Sequence, residues 1–244
     1  MDTDVYGRTR RLELADQELR NWDAVVLDSS PEWIVLDRSA FYPGGGGQPP
    51  DRGVLIWQGV ETRIVDVRRN DDLKLIPAEG DPIPPAGTAV RAALADERRS
   101  ALMRTHSALH VLCGVVFRDY GALVTGGNMD ELTARMDFNL TEVPPGFKQA
   151  VEDACNAEIE ADRRIEVRVL PREEAFAIPD IIRTATNLIP ETVQMVRIVD
   201  IVGLDCQADG GTHVASTKQI GRIRVDKIEN KGKGFRRLRI SVSD

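Results

Sequence analysis

The chain has 244 residues, with 32 basic and 39 acidic side chains and a net charge of −7. With 42% hydrophobic and 29% charged residues, its composition is that of a folded globular protein and excludes a disordered chain. No apolar run approaches the roughly 20 residues that span a bilayer, and the acidic balance excludes a nonspecific coat on nucleic acid, leaving only a local basic surface for RNA.

Short β-rich runs bounded by turn residues fill the N-terminal third: Ala24 to Leu27, Trp33 to Leu36, and Gly53 to Trp57. Glu61 to Val67 alternates apolar and polar residues as a half-buried strand does. These segments predict a small β-barrel or sandwich. Consecutive prolines between Pro82 and Thr88 deny the chain helix and central-strand geometry, which places a domain boundary there. Residues 1–85 are then an N-terminal β-barrel domain carrying a glycine-rich loop, and residues 86–244 a second domain.

Beyond the prolines the apolar period lengthens to three or four. Asp96 to Tyr120 reads as one long buried helix stopped by Gly121. A second helix is predicted from Phe147 to about Asp162, and a short one over Glu173 to Ala177. Strands are expected at Ile165 to Leu170, Val193 to Val199, Ile220 to Ile228 and Arg236 to Val242. Helices mixed with antiparallel strands give an α+β domain behind the barrel.

Three cysteines, Cys113, Cys155 and Cys206, do not make a disulfide framework, and the first thirty residues lack the apolar core of a signal peptide. A reducing cytoplasm is the expected location. The sequence holds three histidines. His106 and His110 stand four apart in the long helix, one turn apart on one face. His213 lies far downstream, after Asp209, Gly210, Gly211 and Thr212. A helical pair alone is commonly just a surface pair, but a third histidine beside a carboxylate and a cysteine completes a zinc-type donor set. Asp209 and Cys206 both compete for the fourth place. Cys113 shares the histidine face and reads as a small buried apolar residue, and Cys155 as structural.

The histidine pair in a long helix, followed by Gly210-Gly211-Thr212-His213-Val214, resembles the editing domain of alanyl-tRNA synthetases and its freestanding trans-editing relatives, the AlaX proteins. The segment Ala40 to Gly53, with Gly44-Gly45-Gly46-Gly47-Gln48, is similar to the glycine-rich stretch preceding that domain. Ile228 to Gly234, followed by Arg236-Arg237, resembles the family's C-terminal signature. The matches stand in family order over nearly the whole chain, and the length fits the medium form of the family. One position departs: where the family has a cysteine four residues before the last histidine, this chain has Asp209, a competent zinc ligand in its own right.

The resemblance implies an α+β editing domain with a long metal-binding helix and antiparallel sheet, and a Zn2+ site at His106, His110, Asp209 and His213. It implies an ATP-independent aminoacyl-tRNA deacylase that hydrolyses the ester of alanine tRNA mischarged with serine, and with glycine too. Zinc can polarise the ester carbonyl or lower the pKa of bound water from about 15.7 toward 7, and the sequence leaves both routes open, as it does a metal that only anchors the substrate. With every histidine on the metal, no Ser-His-Asp nucleophile can be built. Thr125 and Gln207 are candidate contacts to the amino acid, Thr212 an equal choice between ligand contact and turn residue, and Gln48 a contributor to the editing site.

Basic residues cluster near the C-terminus, at Lys218, Arg222, Arg224, Lys227, Lys231, Lys233, Arg236, Arg237 and Arg239, the footprint of phosphate contacts or of a solvated strand face. Arg91, Arg98, Arg99 and Arg104 form a second set near the histidine helix. The expected partner is tRNA, with no DNA and no membrane, and oligomeric state is not readable. Two other readings fit the residues: a metal-dependent hydrolase of small esters or amides on the same scaffold, and a noncatalytic RNA-binding module.

Overall fold

The structure, a computed structural model, describes residues 5–187 and 189–244. The chain divides into two compact units, one of residues 1–45 and 49–100, the other of residues 46–48 and 101–244.

The first unit contains β1 (Val5–Tyr6), β2 (Thr9–Arg11), β3 (Asn21–Ser30), β4 (Trp33–Leu36), β5 (Arg38–Ser39), β6 (Gly53–Trp57), β7 (Val60–Arg69), β8 (Leu73–Pro77) and β9 (Ala89–Leu94). Six of these close a barrel in the order β3-β4-β8-β7-β6-β9, while β1, β2 and β5 form a small separate sheet. Alternation drives the barrel: Trp22, Ala24 and Val26 of β3 face inward, as do Val90, Ala92 and Leu94 of β9. Under one end, the guanidinium of Arg99 is fully buried, paired with Asp51 and donating to the carbonyls of Ala40 and Gln17.

The boundary expected near residue 85 is displaced. β9 lies after the prolines yet pairs with both β3 and β6, so the barrel cannot close without it. The proline segment is a connection inside the first unit. The glycine-rich stretch is divided as well, Gly46–Gln48 grouping with the second unit.

The second unit begins within α1 (Asp96–Tyr120) and continues through β10 (Val124–Asp130), β11 (Thr133–Phe138), α2 (Phe147–Glu160), β12 (Ile165–Pro171), α3 (Arg172–Phe176), β13 (Met195–Ile201), β14 (Asp205–Ala208), β15 (Arg222–Asn230) and β16 (Arg236–Ser243). An antiparallel sheet β10-β11-β16-β15 and a second one β12-β13-β14 share a core with α1 and α2. Every residue of α1 from Thr105 to Val116 is buried, so this helix runs through the interior rather than along a surface. That placement puts two of the three histidines in the core. Among the described residues, no helix is long and apolar enough to cross a membrane.

Candidate metal centre

α1 presents His106 and His110 one turn apart, with ring centroids 5.2 Å apart and edge to face. The loop after β14 brings in the third ring, His213, stacked on His106 at 4.4 Å and edge-on to His110 at 4.6 Å. Asp209 completes the group. One ligand atom from each of His106, His110, Asp209 and His213 lies within 4.8 Å of all the others.

The spacing suits a small divalent ion. Two donors about 2.0 Å from a common tetrahedral centre stand about 3.3 Å apart. Asp209 Oδ2 is 3.1 Å from His213 Nε2, and Asp209 Oδ1 is 3.6 Å from His106 Nε2, values on either side of that edge length. Three imidazoles and a carboxylate are a borderline-to-hard donor set that zinc accepts. Cys206, the competing fourth donor, points its sulfur toward Arg168 Nη2 at 3.9 Å and is outside the group. Cys113 is buried next to Asp205, and burial raises its thiol pKa well above the ordinary range.

His106 and His213 are hydrogen-bonded at Nδ1, which leaves Nε2 to serve as a ligand atom, while His110 Nδ1 faces a carboxylate without a hydrogen bond. His106 Nδ1 is 3.0 Å from Gln48 Oε1, the same oxygen that accepts the Thr212 backbone N–H at 2.9 Å. An oxygen already accepting a backbone proton fixes the amide orientation, so His106 donates from Nδ1 and keeps its Nε2 lone pair. Gln48 Nε2 donates in turn to Thr212 Oγ1 at 2.9 Å. His213 Nδ1 is 3.1 Å from Ser107 Oγ, and His110 Nδ1 lies 3.4 Å from Asp205 Oδ2, in ion-pair range but without hydrogen-bond alignment. Asp205 is itself fixed by Arg183 Nε at 3.1 Å and Gln207 Nε2 at 2.6 Å. Such outer partners orient ligands and set their tautomers.

Two glycines are steric requirements of this arrangement. A Cβ at Gly211 would overlap His106 Cε1 and Nδ1 and lie 2.7 Å from Gln48 Oε1. One at Gly114 would lie 2.9 Å from Asp205 Cβ and Leu204 Cγ, so α1 and the turn before β14 meet only over a glycine.

Charge is balanced inside the group. Burial drives His106 down to about 4 and pushes His213 well below the ordinary imidazole value, keeping both neutral. Burial also opposes a proton on His110, but the facing Asp205 and Asp209 carboxylates outweigh it and raise its pKa. Burial works against ionising Asp209, yet the surrounding histidines, His106 first, hold it well below the usual carboxylate value. Asp209 Oδ2 also accepts the Gly211 N–H at 2.6 Å, and Arg197 donates to its backbone carbonyl at 3.0 Å.

Gln48 and Thr212 thus sit beside His106 with their polar atoms engaged on each other, and Gln207 sits behind Asp205. Thr125 is exposed on β10, whose neighbouring Gly127 and Asn128 pack under Gly47. Sequence reading missed Asp205 and Ser107. Asp205 was signalled by its two-residue spacing from Gln207, which puts both on one face of β14; Ser107 carried no signal. Much of the C-terminal basic cluster is neutralised: Arg224 pairs with Asp226, Lys227 and Arg239 with Glu229, and Arg237 with Asp137. Arg99 of the second basic set is buried and cannot reach RNA.

Residues 196–239 match the family model described as threonyl and alanyl tRNA synthetase second additional domain, and residues 12–98 match the model of class II (A) tRNA synthetases. The chain is 35% identical to the alanyl-tRNA editing protein AlaX-M of Saccharolobus solfataricus, over 96% of this chain and 99% of the relative. It is 33% identical to the AlaX-M of Methanosarcina acetivorans, over 97% and 100% respectively. The alanine–tRNA ligase of Pyrobaculum neutrophilum is 36% identical over 95% of this chain but only 26% of the ligase.

Proposed function

Starting from the fact that this chain belongs to the AlaX-M family of alanyl-tRNA editing proteins, we propose that it hydrolyses, in trans, the ester between serine or glycine and the 3′ end of alanine tRNA. The observation that carries the chemistry is the group of His106, His110, Asp209 and His213, with the Nδ1 atoms of His106 and His213 already hydrogen-bonded. These four side chains are the proposed zinc ligands. A bound ion would supply Lewis-acid polarisation of the ester or of the attacking water.

The protein's own residues prepare the site. Gln48 fixes the His106 tautomer, Ser107 and Asp205 orient the other two rings, and Asp209 is aimed by the Gly211 N–H. The burial that keeps His106 and His213 neutral also keeps their lone pairs available at neutral pH. Thr125, exposed on β10, the strand whose Gly127 and Asn128 pack against Gly47, is the proposed contact for the amino acid. A pocket that hydrogen-bonds a substrate hydroxyl discriminates strongly against an analogue lacking it, which is how serine would be taken over alanine; glycine, which lacks the hydroxyl too, would enter only because it is too small to be excluded.

The test is deacylation of seryl-, glycyl- and alanyl-tRNA of alanine identity, with and without chelator, alongside metal analysis. Metal-dependent loss of serine or glycine with alanine retained supports the reading. Intact esters from zinc-loaded, folded protein would overturn it.

A further inference from the structure

The C-terminal signature leaves one feature that the metal centre does not use. At the turn between β15 and β16, the chain reads Asn230-Lys231-Gly232-Lys233-Gly234-Phe235-Arg236. Phe235 is 43% exposed, an apolar ring held out in solvent. Lys231 and Lys233 precede it in the same turn, both exposed.

The turn is tightly tied. Lys231 N–H donates to the Phe235 carbonyl at 3.1 Å, and Phe235 N–H to the Gly232 carbonyl at 3.2 Å. Arg236 braces it from beneath, donating to Phe235 O at 2.8 Å and Thr141 O at 3.1 Å. Gly232 and Gly234 have φ of 118° and 83°, so the geometry requires glycine at both. The nearby carboxylates of Asp137 and Glu229 are already spent on Arg237 and on Arg239 with Lys227. The exposed Glu142, one residue past Thr141, is the remaining acidic neighbour in sequence. The result is a hydrogen-bonded turn that presents two lysines and an aromatic ring to solvent.

Register ties this tip to the proposed substrate side. Across the sheet, Val124 pairs with Phe138, Phe138 with Arg236, and Arg236 with Asn230; one row further, Gly126, Asp137, Arg237 and Glu229 line up. Thr125 and the tip therefore share one end of the same sheet. Two strand spacings separate β10 from β16, which starts directly after Phe235: about 10 Å, a span covered by about three stacked nucleotides.

We propose that this tip binds the unpaired 3′ end of the tRNA, with a base stacked on Phe235 and phosphates on Lys231 and Lys233. Aromatic stacking beside cations is how proteins hold single strands without reading their sequence. The proposal rests on the editing reading above, and its test is arranged to fail separately.

The experiment measures binding of two fluorescent RNA hairpins to the full-length protein, one ending in a four-nucleotide single-stranded 3′ extension and one blunt. Phe235→Ala should weaken binding of the extended hairpin at least about fivefold, the lower end of base–aromatic stacking, and leave the blunt hairpin unchanged. Phe235→Trp should restore it. Lys231→Ala with Lys233→Ala should lower the salt slope for the extended hairpin by about two phosphate contacts. An unchanged thermal transition establishes that each variant is folded. Equal affinity of Phe235→Ala and wild type for the extended hairpin would overturn the proposal, as would an equal loss on both hairpins. Wild-type deacylation of mischarged tRNA is scored in parallel: if it fails, the editing reading falls, and if it succeeds while Phe235→Ala binds normally, only the tip assignment falls.

Discussion

Gly211→Ala tests the metal centre with a single methyl group. Gly211 has no positive φ, so alanine meets no backbone strain and its effect is steric alone. The new Cβ would overlap two atoms of the His106 ring and crowd Gln48 Oε1. To reach ordinary van der Waals separation the imidazole must retreat by about an ångström, and metal donors tolerate only about 0.2 Å. The movement also breaks the Gln48 contact that sets the tautomer. Losing an outer partner alone costs 10- to 100-fold in metal affinity, about 1.4 to 2.7 kcal/mol, so the variant should lose at least that much. Gly210→Ala is the control, because a Cβ there meets nothing within 4 Å and its φ is also not positive. Zinc competition against a chromophoric chelator reads both variants. Wild-type zinc affinity in Gly211→Ala, or an equal loss in Gly210→Ala, would refute the reasoning.

Asp205→Asn removes the charge facing His110 while keeping its shape, and should weaken zinc 10- to 100-fold by the same competition assay. Asp209→Cys should tighten zinc, and Asp209→Ala should weaken it; unchanged affinity in the alanine variant would remove Asp209 from the ligand set. His110, raised above 6.5, must give up its proton to bind a metal, whereas His106 at about 4 and His213 lower still are already neutral. Zinc affinity should therefore fall as pH drops through the raised His110 value, with release of up to about one proton at pH 6.5, read by calorimetry in buffers of different ionisation enthalpy. In the first unit, Arg99→Leu strands the Asp51 carboxylate in the interior and should cost about 3 to 5 kcal/mol in denaturant unfolding, partly recovered by adding Asp51→Asn.

Elements whose side chains carry the pattern were readable. Asp96 and Gly121, the latter with φ of 64°, bracket α1 as expected, β-branched runs between turn residues exposed β3, β4 and β6, and alternation exposed β7. β10 was not readable, because Gly126, Gly127 and Asn128 have no side-chain alternation to betray a strand. β9 was assigned to the wrong side of a boundary because local proline chemistry says nothing about which distant strands close a barrel. Val193 to Val199 and Ile220 to Ile228 were each placed two residues early: Pro190 ties the start of the first into a turn, and Thr217–Ile220 is a short helical turn before β15. At the site, the spacing of histidines was legible since chemistry names its residues. The partners of the rings were less so: Gln48 was singled out with the glycine-rich stretch, but Ser107 and Asp205 become visible only when folding aims them.

If the group holds zinc as proposed, the carboxylate at position 209 accounts for how much of the surrounding structure is committed to holding imidazoles. An oxygen donor contributes less to a zinc site than a thiolate does, so the affinity lost there has to be offset by donors that need little rearrangement on binding. Preorganisation is what the other residues supply. His106 is locked by Gln48 against the one position where a side chain would intrude, His213 by Ser107 from within α1, and His110 by a carboxylate that is itself pinned by Arg183 and Gln207. Asp209 has its own anchor in the Gly211 N–H. Each ligand thus begins within reach of its neighbours, and none depends on the metal to bring it into the core. A thiolate could tolerate a looser frame; an aspartate needs this one, which is why the Gly211 and Asp205 variants should be more damaging here than the same changes in an Asp209→Cys background.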